Sequence, residues 1–191
     1  MILLSVAVFA LVSLSDAMPF TEEDVANCPY LAQWLSIWAP DSVSLAPTSF
    51  DRIYNGPLGE LPAWRDSLGP GFTVSVTCHV TSPDSSYAIW TSDIEEGPDT
   101  EVDLVDLGHG RQRMLLASGP SADYEMAWWL GPHVALVGGG FWDERAPMLY
   151  RIDLSKHTFE TFRGPSVPSD RSRRIEGAVR ALWRERFSSQ K

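Results

Sequence analysis

Lysine is almost missing from this chain of 191 residues, which has only Lys156 and Lys191. With 15 basic side chains against 25 acidic ones the formal net charge is −10, and such a body repels phosphate backbones, so nucleic-acid binding is excluded as a function class. Cysteine is equally scarce, with Cys28 and Cys78 alone; two thiolates do not complete a zinc site, and no histidine stands at ligand spacing from them. There is no apolar run of the ~20 residues that a membrane helix requires. The longest, Ile2 to Leu14, has 13 residues. Missing too are a Gly-x-Ser-x-Gly elbow, an H-E-x-x-H pair and a Gly-rich loop ending in Lys-Ser/Thr, so no reaction is named by a motif.

What is present begins with that short apolar run. Its length fits the hydrophobic region of a signal peptide, and Ser15 and Ala17 supply a small-x-small pattern with cleavage predicted before Met18. No Lys or Arg precedes it, which leaves an uncleaved membrane anchor or a buried terminal helix as alternatives. The chain is thus expected to be exported, secreted or periplasmic, with residues 1–17 as the signal and 18–191 as a single globular domain. A composition 44% hydrophobic and 21% charged supports a folded core. In an exported chain Cys28 and Cys78 invite a disulfide, worth about 4 kcal/mol for a loop of that size on the chain-entropy view; two buried thiols are the alternative.

Residues 18–71 read as a helix and a connection. Thr21 with Asp24 resembles a capping box, Pro29 interrupts, and Leu31, Trp34, Leu35 and Trp38 form a helical stripe. A Pro/Gly/Ser-rich connection follows, with a short strand placed near Phe50 to Tyr54. From Phe72 the period switches to alternation: in "FTVSVTCHV" Cys78 falls on the apolar side and His79 on the other. Seven further strand-like stretches run to Phe162, bounded by Gly, Pro, Asp or Ser. Residues 168–191 are predicted to form a C-terminal amphipathic helix, with Ile175, Ala178, Val179, Leu182, Trp183 and Phe187 as its apolar stripe and seven basic residues between Arg171 and Lys191. Docking on its own domain is the expected use of that stripe; contact with an anionic membrane is the alternative.

Inside residues 72–165 a repeat is visible. "VDLVDLGHGRQRMLLASGP" and "LYRIDLSKHTFETFRGP" share an apolar-Asp-Leu step, a turn, a strand and a Gly-Pro stop, with Asp106 and Asp153 separated by 47 residues. This resembles the blade repeats of kelch-type β-propellers. Two blades cannot close a propeller, so the fold class expected is mainly β, an antiparallel meander or sandwich with propeller-like repeats, flanked by N-terminal and C-terminal helices.

The glycines of "VALVGGGFWDE", Val134 to Glu144, are followed by Phe141, Trp142 and Asp143 rather than by Lys and Ser/Thr. They therefore do not build a phosphate loop; a strand with a glycine-rich bulge or exit that presents Trp142 and Asp143 is expected instead. Eight tryptophans are many for this length, and exposed aromatics anchor binding surfaces. Adjacent Trp128 and Trp129 point to opposite faces of a strand, so one of them is free to lie under a helix or at the surface. Trp142, Asp143 and Trp129 are the candidate ligand-binding residues. Asp93, Glu95 and Asp99 crowd a turn as candidate Ca²⁺ ligands; a solvated acidic loop is the favoured account of them, and no other cofactor is expected. The function expected is that of an exported binding or interaction protein whose acidic surface suits a basic protein partner, and self-association is compatible with it. Two alternatives are carried forward, a hydrolase whose site is assembled from dispersed His and Asp/Glu at strand ends, and a calcium-stabilised module.

Overall fold

The computed structural model of the protein describes residues 19–38, 50–61, 63–66, 75–93, 100–118, 122–141 and 145–188. The expected signal segment lies outside them. Thr21 opens helix α1 (Glu22–Asn27) with the capping box foreseen: its hydroxyl accepts the Asp24 N–H at 3.1 Å, and the Asp24 carboxylate accepts the Thr21 N–H at 2.7 Å. The helix ends at Cys28 (φ −123°, ψ 88°), because a residue preceding proline is pushed out of the helical region. Pro29 then starts α2 (Pro29–Trp38), where its missing N–H costs nothing. Leu31, Trp34, Leu35 and Trp38 are the buried face of α2, as their spacing predicted.

Ten strands and a helix follow among the described residues: β1 (Asp51–Pro57), β2 (Arg65–Asp66), β3 (Ser75–Thr81), β4 (Tyr87–Asp93), β5 (Thr100–Asp106), β6 (Arg111–Ser118), β7 (Ala122–Gly131), β8 (Val134–Phe141), β9 (Ala146–Asp153), β10 (Thr158–Arg163) and α3 (Ser169–Ser188). They make two antiparallel five-stranded sheets, ordered β1-β10-β9-β8-β7 and β2-β6-β5-β4-β3. Each sheet is a meander of four consecutive strands with an earlier strand added beside the last. The mainly β architecture with helices at both ends is therefore as the patterning indicated. Closure into a propeller is not seen among the described residues; both sheets are open.

Three layers result. Val80, Ile89, Val102, Leu104 and Leu115 of the β3–β6 sheet meet Ala127, Val137, Tyr150, Ile152 and Phe159 of the other in a shared core. On its opposite face the β7–β10 sheet is backed by Leu31, Trp34 and Trp38 of α2 and by Ile175, Val179 and Leu182 of α3, packed on Met126, Trp128, Leu136, Leu149 and Phe162. A sheet covered on both faces needs apolar residues at successive positions rather than alternation, and five of the first five residues of β9 are buried. Inside the shared core the Tyr150 hydroxyl is pushed well above its ordinary range, by burial first and then by Tyr124 beside it, and stays neutral.

The sequence repeat corresponds to two equivalent hairpins. Asp106 ends β5 and Asp153 ends β9; each accepts the backbone N–H three residues on, from His109 and from Lys156, both at 3.0 Å. Gly110 (φ 63°) and His157 (φ 55°) close the two turns in the left-handed region.

The glycine run lies within β8, a central strand, with Gly138, Gly139 and Gly140 paired to Leu149, Met148 and Pro147. The glycines themselves carry no bulge, and the exit expected after them lies outside the described residues, beyond Phe141. Space is the reason for the first of them: a Cβ on Gly138 would stand 2.9 Å from Trp128 Cη2 and 3.1 Å from Trp34 Cε2. The irregularities of the ladder sit instead on β7, between Tyr124 and Met126 and between Trp129 and Gly131.

A cleft where the two first strands meet

β3 and β7 begin the two meanders and lie at one edge of their sheets. Trp129 joins them, its Nε1 donating to the Val80 carbonyl at 2.9 Å. Above this junction the break between α1 and α2 brings Cys28 and Tyr30 over the sheet edge, and an open cleft of about 440 Å³ remains between the three elements. Its walls are Cys28 and Tyr30 from the helices, and Trp128 and Trp129 from β7. From β3 come His79, Val80 and Thr81, with Pro83 on the turn after the strand. Among the described residues that line it there is no Asp, Glu, Lys or Arg.

Period-two geometry explains how two adjacent tryptophans both reach the cleft. Trp128 turns toward the helices and lies across Trp34 with ring centroids 5.8 Å apart, edge to face. Trp129 turns toward the sheet interface, half-buried, and spends its N–H on Val80. The two donors therefore differ in state: Trp128 is 2% exposed, and its Nε1 has no hydrogen-bond partner among the described residues. Leaving a buried donor unmet costs about 1–3 kcal/mol.

The turn carrying Pro83 is held by Asp84, which accepts from Ser82 Oγ at 2.7 Å, Ser86 Oγ at 2.9 Å and Ser86 N–H at 3.2 Å. Those bonds, the Ser82 hydroxyl foremost, hold the Asp84 carboxyl at about 2. It is a carboxylate throughout the physiological range, and the lip of the cleft is fixed with it.

Of the ligand-binding residues expected from sequence, Trp129 stands in the cleft, while Trp142 and Asp143 lie outside the described residues. Among the candidate calcium ligands, Asp93 ends β4 with its side chain outside the description, and Glu95 and Asp99 fall wholly outside it. No group of three or more His, Cys, Asp or Glu among the described residues is arranged to hold a metal. Cys28 lines the cleft beside His79, the residue after Cys78; the Cys78 side chain is not described, and no disulfide occurs among the residues that are.

The histidines offered for a dispersed catalytic site are spread apart. His79 is in the cleft, His109 bonds Asp106 at 2.9 Å, His133 meets the Tyr87 ring edge to face at 6.4 Å, and His157 closes the β9–β10 turn. The His109–Asp106 pair has a structural explanation, since the same carboxylate takes the His109 backbone N–H and Arg111 at 3.0 Å to fix its turn. Sequence reasoning missed Tyr30, His79 and Trp128 as members of one site. Their only signal was the adjacency of Trp128 and Trp129, which required two differently faced indoles but not a common cleft.

Comparison of the chain with protein-family models, curated proteins and solved structures returned no match. No helix among the described residues is long and apolar enough to cross a membrane.

Proposed function

We propose that the protein is an exported binding protein that takes its ligand in the cleft between α2, β3 and β7. The observation that carries this reading is the convergence of half-buried Tyr30 and Trp129 on one concave site from positions about a hundred residues apart. Aromatic side chains with one face packed and one accessible are the usual anchors of ligand sites. Export rests on the apolar segment Ile2 to Leu14 and the small residues Ser15 and Ala17. In an oxidising compartment a Cys28–Cys78 bond would tie the helix break to β3 at the cleft wall.

Native mass spectrometry tests the reading. The protein is incubated with extract of its source cells, repurified and weighed intact. The expected result is an added mass of small-molecule size that disappears in Trp129→Ala and in Tyr30→Ala. An added mass retained in both variants, or none in the unaltered protein, removes the cleft as the binding site. Weighing the exported form also tests the signal, since an intact Met1 overturns cleavage before Met18.

A further inference from the structure

The edge of β3 carries an inference about ligand class, and it rests on the cleft being the binding site. Three consecutive strand residues, His79, Val80 and Thr81, line the cleft. Successive side chains of a strand point to opposite faces, so the cleft borders the edge of β3 there and not one of its faces. The register pairs Thr81 with Ala88 and Val80 with Ile89, and the Ser82 N–H donates to the Tyr87 carbonyl at 2.8 Å. Bonding groups alternate residue by residue in an antiparallel ladder. Ser82 and Val80 therefore turn their main-chain groups toward β4, while His79 and Thr81, both exposed, turn theirs outward. Outside that ladder no backbone bond reaches His79 or Thr81 among the described residues.

Sheets keep their edges from pairing with charge, proline, register breaks or shortness, and three of the four edge strands follow that rule. β1 carries Asp51, Arg52, Pro57 and a break at Ile53. β2 has two residues, and β7 carries Asp123, Glu125 and two breaks. β3 has no Asp, Glu, Lys, Arg or Pro, and its one break, between Val76 and Cys78, precedes the stretch in the cleft. An open edge beside a cleft is the arrangement in which an extended peptide adds a strand: main-chain bonds hold it and neighbouring pockets select its side chains. With no carboxylate, guanidinium or ammonium among the described residues of the lining, a charged side chain would lose its hydration without gaining a counter-charge. We propose that the cleft binds a short, uncharged peptide in extended form, paired as an added strand on His79 and Thr81, with Tyr30 and Trp129 against its side chains.

The experiment is a titration of the ¹⁵N-labelled protein with four probes: acetyl-Val-Thr-Val-Thr-Val-amide, its fully N-methylated form, acetyl-Val-Glu-Val-Glu-Val-amide and toluene. The first is expected to slow solvent exchange of the His79 and Thr81 N–H groups about tenfold, the change one hydrogen bond makes, and to leave that of Val80, already given to β4, unaltered. The N-methylated and the acidic peptides are each expected to bind about tenfold more weakly. Thr81→Pro removes an outward donor at an edge position, where proline is tolerated, and is expected to weaken binding of the first peptide about tenfold at an unchanged thermal midpoint. Should this variant not fold, the exchange measurement on the unaltered protein decides alone. Binding of the first peptide without protection of His79 and Thr81, or equal binding of its N-methylated form, overturns the added strand. Equal binding of the acidic peptide overturns the preference for an uncharged one. If toluene moves the Trp129 indole signal while the first peptide leaves His79 and Thr81 unprotected, the peptide falls and the cleft stands as a binding site. If none of the four moves any cleft signal, the peptide falls, and the mass measurement decides the cleft separately.

Discussion

At Gly138 an added methyl would meet two indole rings that are themselves fixed, Trp128 by Trp34 and both by the helix above them. Neither ring is the loose end of a flexible side chain, so relief must come from moving α2 or the sheet. Gly138→Ala is therefore expected to lower stability by about 1–3 kcal/mol, the usual cost of overfilling a packed core, measured as a lower urea midpoint with an unchanged slope. The equivalent change at Gly177 of α3, where no atom lies within 4 Å of an added Cβ, is expected not to destabilise. What the sequence exposed here was strand periodicity around the glycines. Their purpose was hidden because Trp34 comes from an element a hundred residues earlier, and no local rule connects the two.

At the scale of elements, the two Asp-opened hairpins are the part of the fold most legible in the sequence. A turn closed by an aspartate bonding forward along its own chain is a local device, so "VDLGHG" and "RIDLSKH" disclose it without tertiary information. Burial alone would raise both carboxyls, but bonds outweigh it: from Arg111 and His109 at Asp106, and from Ser155 and Lys156 at Asp153. Both are held below the ordinary 3.8. A depressed folded-state value means that the stability contributed is complete above about pH 4 and is lost as the pH falls through the folded-state values. Thermal midpoints are expected to be insensitive to these groups above pH 5 and to fall below pH 4. Asp153→Asn is expected to cost about 1.5–3 kcal/mol at neutral pH, as loss of charged hydrogen bonds does, and to flatten the acid limb. A variant with an unchanged acid limb would show that Asp153 contributes nothing to it.

For the molecule as a whole, alternation and helical stripes sufficed for a mainly β body with helices at both ends. They did not indicate which strands were covered on two faces, because near-continuous apolar runs such as that of β9 fit a buried strand in several architectures. Nor did they indicate that β1 and β2 join sheets whose other members come later, since pairing across such distances leaves no periodic trace. The repeat suggested blades, and what it marked were matching hairpins in two open sheets. The cleft was legible only as scattered residues. It exists because the α1–α2 break and the two first strands meet in space, a junction set by the packing of whole layers.

The pairing of β1 with β10 has a consequence for how the chain acquires its structure. Their partners, such as Asn55 with Glu160, are more than a hundred residues apart, and α2 packs on strands that are also made late. At synthesis rates of about 5–20 residues per second, Trp34 and Trp38 wait on the order of 5–20 s for the surface that covers them. Meanwhile β3 to β6, contiguous in sequence, are free to pair with one another. In pulse-labelled hydrogen exchange during refolding, amides of β3–β6 are expected to gain protection first and those of β1 and α2 last. Simultaneous protection of all of them would show that the two meanders form as one unit. The opening helices are the first part of the described chain to be made and, on this topology, the last to find shelter.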